Sequence, residues 1–372
     1  MTTARRVARD VLIRVDADDA WIAPVLDAEL GRSDLEPRDR ALATDLAYGV
    51  TRRRRALDAA AAPFIRRELD PEVRVAVRIG TYQLLDQRTP PHAAVSEAVD
   101  LAPKRARGLV NAVLRRVADA GTPRWATDGE RLSYPEWIVD RLAADLGEDD
   151  ALAALSDMNV PVPTPARADG YRQDPASTWV VDAVEARQGD LVVDLCAAPG
   201  GKSTGLRAAG AEVVAVELHP NRARSVRAAG ERTGNRVAAV TADGRRPPLR
   251  TGVADRVLVD APCSGLGALR RRADARWRIE ADDVDRLADL QVDLVESART
   301  LVRPGGTLLY SACTLTAAES TGVVDRVVDR TDLMVEAIDP GDRWRTHGDG
   351  VLVLPQDHRT DGMFACRFRV PS

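Results

Sequence analysis

The chain has 372 residues, more than one typical domain, and its 45% hydrophobic and 30% charged residues exclude wholesale disorder. A formal net charge of −4 means that any contact with nucleic acid must come from local basic patches rather than from the overall field. The first ten residues are polar and arginine-bearing, and no run approaches the ~20 apolar residues of a membrane span, so a cytoplasmic protein without membrane contact is expected.

From Ala4 to about Ala120 the pattern is helical. Leu42, Leu46 and Val50 recur at i+4, as do Leu109, Val113 and Val117, and strand signals are missing. Breaks at Gly31, Pro63, Pro71, Pro90-Pro91 and Gly121 divide this stretch into roughly five to seven helices, an all-α bundle over residues 1–122. Residues 123–170 read as a connector with two short helices, over Pro135–Leu146 and Ala151–Met158. The alternate prolines of Val160–Pro165 then favour extended backbone.

Residues 171–372 form the second domain. Short apolar runs at Leu191–Leu195, Val213–Glu217, Val237–Thr241, Arg256–Asp260 and Thr307–Ser311 alternate with helical stretches, which implies a doubly wound, mainly parallel α/β sheet. Val351–Leu354 and Met363–Val370 have no helix between them and read as a terminal antiparallel hairpin.

The first strand runs into Cys196, Ala197, Ala198, Pro199, Gly200, Gly201, Lys202 and Ser203, with a helix starting near Lys202. A glycine turn at that junction lets a ligand approach the backbone and helix N-terminal amides. The first glycine of a phosphate-binding loop is replaced by Cys196, and the G-x-G-x-x-G of a dinucleotide site is absent. S-adenosylmethionine (SAM) remains, with Glu217, Asp243 and Asp260 at the ends of successive strands as acidic partners for its hydroxyl and amino groups. Lys104 and Lys202 are the only lysines among 53 basic residues, so a lysine inside this loop points to a local need for a compact ammonium.

The fourth and fifth strands lead into Asp260-Ala261-Pro262-Cys263 and Ser311-Ala312-Cys313, which brings two cysteines to the ligand edge of the sheet. Cytosine C5 becomes nucleophilic only after a thiolate adds to C6, and a second thiol can assist removal of the C5 proton or product release. Cys196 and Cys366 lie in apolar strand contexts and read as small core residues. No cysteine pair has CxxC spacing, so neither a metal site nor a disulfide is expected. Arg270, Arg271, Arg272, Arg276 and Arg278 crowd around Trp277, and the first four suit a clamp on single-stranded RNA with it, whereas Arg52–Arg55 read as a solvated face.

These segments resemble the Sun/Fmu family of RNA cytosine-5 methyltransferases. The resemblance is carried by DLCAAPGGKS at Asp194–Ser203, DAPCSGLGALRRRADARW at Asp260–Trp277, LYSACTLTAAE at Leu309–Glu319, QDPAS at Gln173–Ser177 and DGMF at Asp361–Phe364. Arg40–Thr51, Ala94–Leu101 and Leu109–Arg116 are similar to the NusB-like helical RNA-binding domain that bacterial members carry ahead of the catalytic one. The resemblance implies a class I SAM-dependent methyltransferase fold and C5 methylation of small-subunit (16S) ribosomal RNA by a monomeric enzyme. The RNA would be free or in a partly assembled subunit. It makes Cys313 the nucleophile, with Cys263 assisting release and Asp260 touching the cytosine. Cys196 to Lys202 would line the SAM site with Glu217, Asp243 and Asp260.

Two departures stand out. Ala312 replaces the family's threonine before the nucleophile, and Ala318-Glu319-Ser320 replaces a Glu-Glu-Asn run. About fifteen residues between Met158 and Gln173 stand where the family inserts an RNA-contacting subdomain. The competing readings are a C5-pyrimidine methyltransferase acting on transfer RNA or another nucleic acid, and a non-catalytic RNA-binding factor that retains the fold.

Overall fold

The computed structural model describes residues 3–372. It divides into two compact units, one holding the chain up to Val139 together with Arg272–Arg278, the other Asp140–Arg271 and Ile279–Ser372.

The first unit is helical. It contains α1 (Ala4–Ala17), α2 (Ile22–Gly31), α3 (Pro37–Ala61), α4 (Pro71–Leu85), α5 (Pro91–Leu101), α6 (Arg107–Ala120) and the short α7 (Asp128–Leu132). Thr3 caps α1 by accepting from the Arg6 amide, and prolines open α3, α4 and α5, where the missing N–H costs nothing. Leu46, Val50, Leu57, Ile79 and Leu114 fall on the inward faces and are buried. A Cβ at Gly49 would lie 2.2 Å from the Tyr82 ring, so α3 and α4 approach closely there only because position 49 is bare.

The segment Arg272–Arg278 is tied into this bundle. Asp274 accepts from the Ile22 amide at 2.8 Å and caps the start of α2, while the Trp277 indole donates to the Thr51 carbonyl at 2.7 Å. The residues expected as one connector are divided between the units. Tyr134 is fully buried in the first, and Arg55 donates to the Tyr134 carbonyl and pairs with Glu136, which holds residues up to Val139 on α3.

The second unit is reached along α8 (Glu136–Leu146) and continues through α9 (Glu148–Asp157), α10 (Pro175–Val184), β1 (Leu191–Leu195), α11 (Gly201–Ala208), β2 (Glu212–Glu217), α12 (Pro220–Thr233), β3 (Ala238–Thr241) and β4 (Ala254–Asp260). Then follow α13 (Ala281–Leu301), β5 (Val302–Ala312), α14 (Thr321–Arg330), β6 (Met334–Glu336), β7 (Arg345–His347), β8 (Gly350–Val353), α15 (Pro355–His358) and β9 (Met363–Arg369). The sheet order is β3-β2-β1-β4-β5-β9-β8-β7, with β6 also pairing with β9. Strands β1 to β5 are mutually parallel, whereas β9 runs antiparallel to β5.

The expected doubly wound sheet is present, and β8 and β9 pair antiparallel as expected, although the four-residue α15 stands between them where no helix was read. Two three-residue strands, β6 and β7, extend it beyond the sequence reading. The crossing from β1 outward in both directions leaves the carboxyl ends of β1, β2, β4 and β5 at one edge, where a doubly wound fold binds its ligand.

Candidate active site

The loop after β1 is held open by backbone geometry. Cys196 has φ +63° and Gly200 φ +105°, both in the left-handed region, and α11 starts directly behind them. At Gly200 a Cβ would meet the Val226 backbone at 2.9 Å, and at Gly201 it would meet Tyr171 at 2.9 Å and Gln173 at 3.0 Å. These glycines therefore serve close packing by the protein itself.

Two carboxylates support this loop from below. Glu217, 4% exposed, accepts the Ala198 and His219 amides at 3.2 Å each. Asp194 is fully buried; one oxygen accepts from Ser203 at 2.5 Å and the other has no hydrogen-bond partner. Burial, only partly opposed by the Ser203 bond, pushes its carboxyl up to about 7. Asp243 stands apart from this support, chelated by the Arg245 guanidinium, which holds it below the ordinary carboxylate range.

At the ends of β4 and β5 the charged and sulfur groups converge. The Lys202 ammonium lies 2.7 Å from one Asp260 oxygen, and Ser311 donates to the other at 3.0 Å. Burial alone would lower the lysine, but Asp260, Cys313 and Asp194 outweigh it and hold Lys202 above its ordinary value. The Cys263 and Cys313 sulfurs are 3.3 Å apart. The Gly267 amide donates to the Cys313 carbonyl at 3.0 Å, so the two cysteine loops share a backbone bond.

The hydrogen bond to Cys313, burial and nearby negative charge push the Cys263 thiol well above the usual range. Burial pushes the Cys366 thiol up to about 12, in keeping with a core residue of β9. Cys196 is half-buried in the loop after β1 and is pushed up to about 12 by burial together with Asp194, Glu217 and Asp260, so it is not the core residue expected.

The arginine cluster requires a correction. Arg270 is buried on Asp157 and the Val160 carbonyl, and Arg271 bridges Asp174 and Asp361 while donating to Thr164. Both fasten the connector to the second unit. Arg276 is fully buried in the first unit, its guanidinium 4.0 Å from the Tyr134 ring centroid, and burial pushes it down to about 10. Trp277 is half-buried on the Thr51 carbonyl with Arg54 over its ring at 5.2 Å. Of the five residues expected to clamp RNA, only Arg272 is exposed.

With this geometry in place, a family model described as 16S rRNA methyltransferase RsmB/F matches residues 181–369, and the NusB family matches residues 2–119. The chain belongs to the RsmB/F methyltransferase family. It is 37% identical to ribosomal RNA small subunit methyltransferase B of Thermus thermophilus, over 99% of this chain and 98% of that one. The protein of the same name in Vibrio cholerae is 29% identical over 90% of each chain. The fold matches the crystal structure of PH0851 with TM-score 0.76 at 20% identity over 99% of each chain. A methyltransferase homologue from Pyrococcus horikoshii matches with TM-score 0.55 at 22% identity, over 65% of this chain and 97% of that one.

The structure also gives roles to residues that the motifs alone did not assign. Arg167, in the shortened connector, donates to the Gly201 carbonyl at 2.5 Å, to Thr204 at 2.9 Å and to Gln173 at 2.8 Å, and its chelation by Asp169 fixes the fork. Gln173, part of the QDPAS segment, was the available signal for this brace. Glu319 and Gln291 link the two cysteine loops; Glu319 closes the LYSACTLTAAE segment, but its partners Ser264 and Gln291 are remote in sequence.

Proposed function

We propose that this RsmB/F protein is a cytoplasmic, monomeric enzyme that methylates C5 of a cytosine in small-subunit ribosomal RNA, with Cys313 as the nucleophile. The observation that carries this reading is the pair of sulfurs 3.3 Å apart at the ends of β4 and β5, together with a half-buried lysine–aspartate pair. The names of the relatives supply the RNA class.

The loop residues fit SAM. The unpartnered, fully buried Asp194 oxygen and the Glu217 oxygen that accepts only the Ala198 amide leave acceptor capacity for amino and ribose hydroxyl groups, while the other Glu217 oxygen is shared by the His219 amide and Arg222. Cys196, Ala197, Ala198, Pro199, Gly200 and Gly201 would flank the ligand, with Asp243 at the more exposed end. When bound, SAM supplies an electrophilic methyl group.

The protein's own residues do the rest. The Lys202 ammonium favours the thiolate of Cys313, which adds to C6 and makes C5 nucleophilic. Asp260, oriented by Lys202 and Ser311, accepts a hydrogen bond from the cytosine edge. After C5 has been methylated, loss of its proton expels the sulfur, and Cys263 assists that elimination. Arg272 remains the candidate RNA contact of the arginine cluster.

The roles of the cysteines give the test. Cys313→Ala should lose the protein–RNA adduct and all turnover, while Cys263→Ala should accumulate a denaturation-resistant adduct on 16S RNA. Trapping by Cys313→Ala alone would exchange the roles. Adducts on transfer RNA but not ribosomal RNA would move the substrate, and full activity in both variants would remove covalent catalysis.

A further inference from the structure

Glu319 precedes α14 and is fully buried. One carboxylate oxygen accepts from the Ser264 amide at 2.7 Å and the Gln291 amide group at 3.1 Å. The other accepts from the hydroxyls of Ser264 at 2.5 Å, Thr314 at 2.7 Å and Thr316 at 3.1 Å. Ser264 follows Cys263 and Thr314 follows Cys313, so a single side chain is bonded to both cysteine loops. Gln291 completes the frame by donating to the Pro262 carbonyl, with the Tyr310 hydroxyl 2.9 Å from its amide oxygen.

Burying a carboxylate is costly, and well-packed apolar side chains in place of buried charge are often as stable or more so. A structural tie between two loops therefore does not require a charge. What the charge adds is direction. Lys202 interacts electrostatically with Cys313, while Glu319, bonded to the amide and hydroxyl of the residue that follows Cys263, raises the Cys263 thiol.

We propose that Glu319 is a positioning residue that holds the two sulfurs in contact and, by its negative charge, disfavours a thiolate at Cys263, leaving Cys313 as the attacking sulfur. Cys263 stays a thiol able to donate to the Cys313 sulfur. The catalytic meaning of this rests on the C5-methylation reading, but the order in which the thiols ionise does not.

The test follows that order in the full-length protein. Iodoacetamide labelling, resolved by peptide mass spectrometry across about pH 6 to 10, reports each thiolate separately. In the wild type Cys313 should label at lower pH than Cys263. Glu319→Gln should shift Cys263 labelling to lower pH, raising its rate near neutrality about tenfold. Ser264→Ala, which loosens the tie but keeps the charge, should preserve the wild-type order.

Cys263 labelling first in the wild type overturns the proposal, and needs no variant to be seen. An unmoved Cys263 profile in Glu319→Gln with a normal thermal transition does so too, as does a reversed order in Ser264→Ala, which decides the matter if the glutamine variant fails to fold. Correct labelling order without any RNA methylation would count against the C5 reading and not against Glu319.

Discussion

Asp194 shows how one buried acid couples the cofactor loop to pH. Its folded value of about 7 lies above the ordinary 3.8, so the folded state holds a proton that the unfolded chain has already released. The contribution is therefore most favourable at low pH and is lost as pH rises from about 4 through about 7, by at most about 4 kcal/mol. Asp194→Asn can keep an acceptor for Ser203 and carries no charge. Denaturant unfolding at pH 5 and pH 8 should show the variant gaining stability relative to wild type at the higher pH, by roughly 1–4 kcal/mol. An equal difference at both pH values would mean that the aspartate is ionised throughout. Lys202 is also held above its ordinary value, so its contribution has the same sign but is fully present across this range and is lost only above about pH 10.

Among the elements, the connector has the least expected role. Its extended part returns through Arg167 to the first turn of α11 and braces it. Arg167→Ala removes charge-assisted bonds worth about 1.5–3 kcal/mol each, only part of which is felt at the ligand. The expected result is SAM affinity about tenfold weaker by calorimetry, with the thermal transition shifted by only a few degrees. Unchanged affinity would reduce the brace to scaffolding. The strands of the parallel sheet were legible because β1, β4 and β5 are buried on both faces and read as apolar runs. The three-residue β6 and β7 exist only through pairing with β9 and β8, information that no local window contains. The cysteines and the glycine loop were legible from motif position. Glu319 was not, since its donors come from residues 264, 291, 314 and 316. The arginine loop was misread for a physical reason: arginine beside tryptophan suits an RNA base and a protein carbonyl equally, and burial alone distinguishes them.

For the molecule as a whole, the assignment of Arg272–Arg278 to the helical unit is the decisive feature. Trp277→Ala removes the bond to Thr51 and the ring beneath Arg54, at a cost of about 3 kcal/mol. Hydrogen exchange should report the loss in α1 and α3 of the first unit, and faster exchange confined to β1–β5 would contradict the placement. Synthesis adds a timing consequence. The helical unit is encoded first, but its α2 cap Asp274 and its Trp277 anchor are translated only after most of the parallel strands. At about 5–20 residues per second they emerge on the order of ten seconds after Val139. During that interval the nascent bundle exposes the Ile22 amide and the Thr51 carbonyl, so the helical domain is completed only after a large part of the domain that follows it has also left the ribosome.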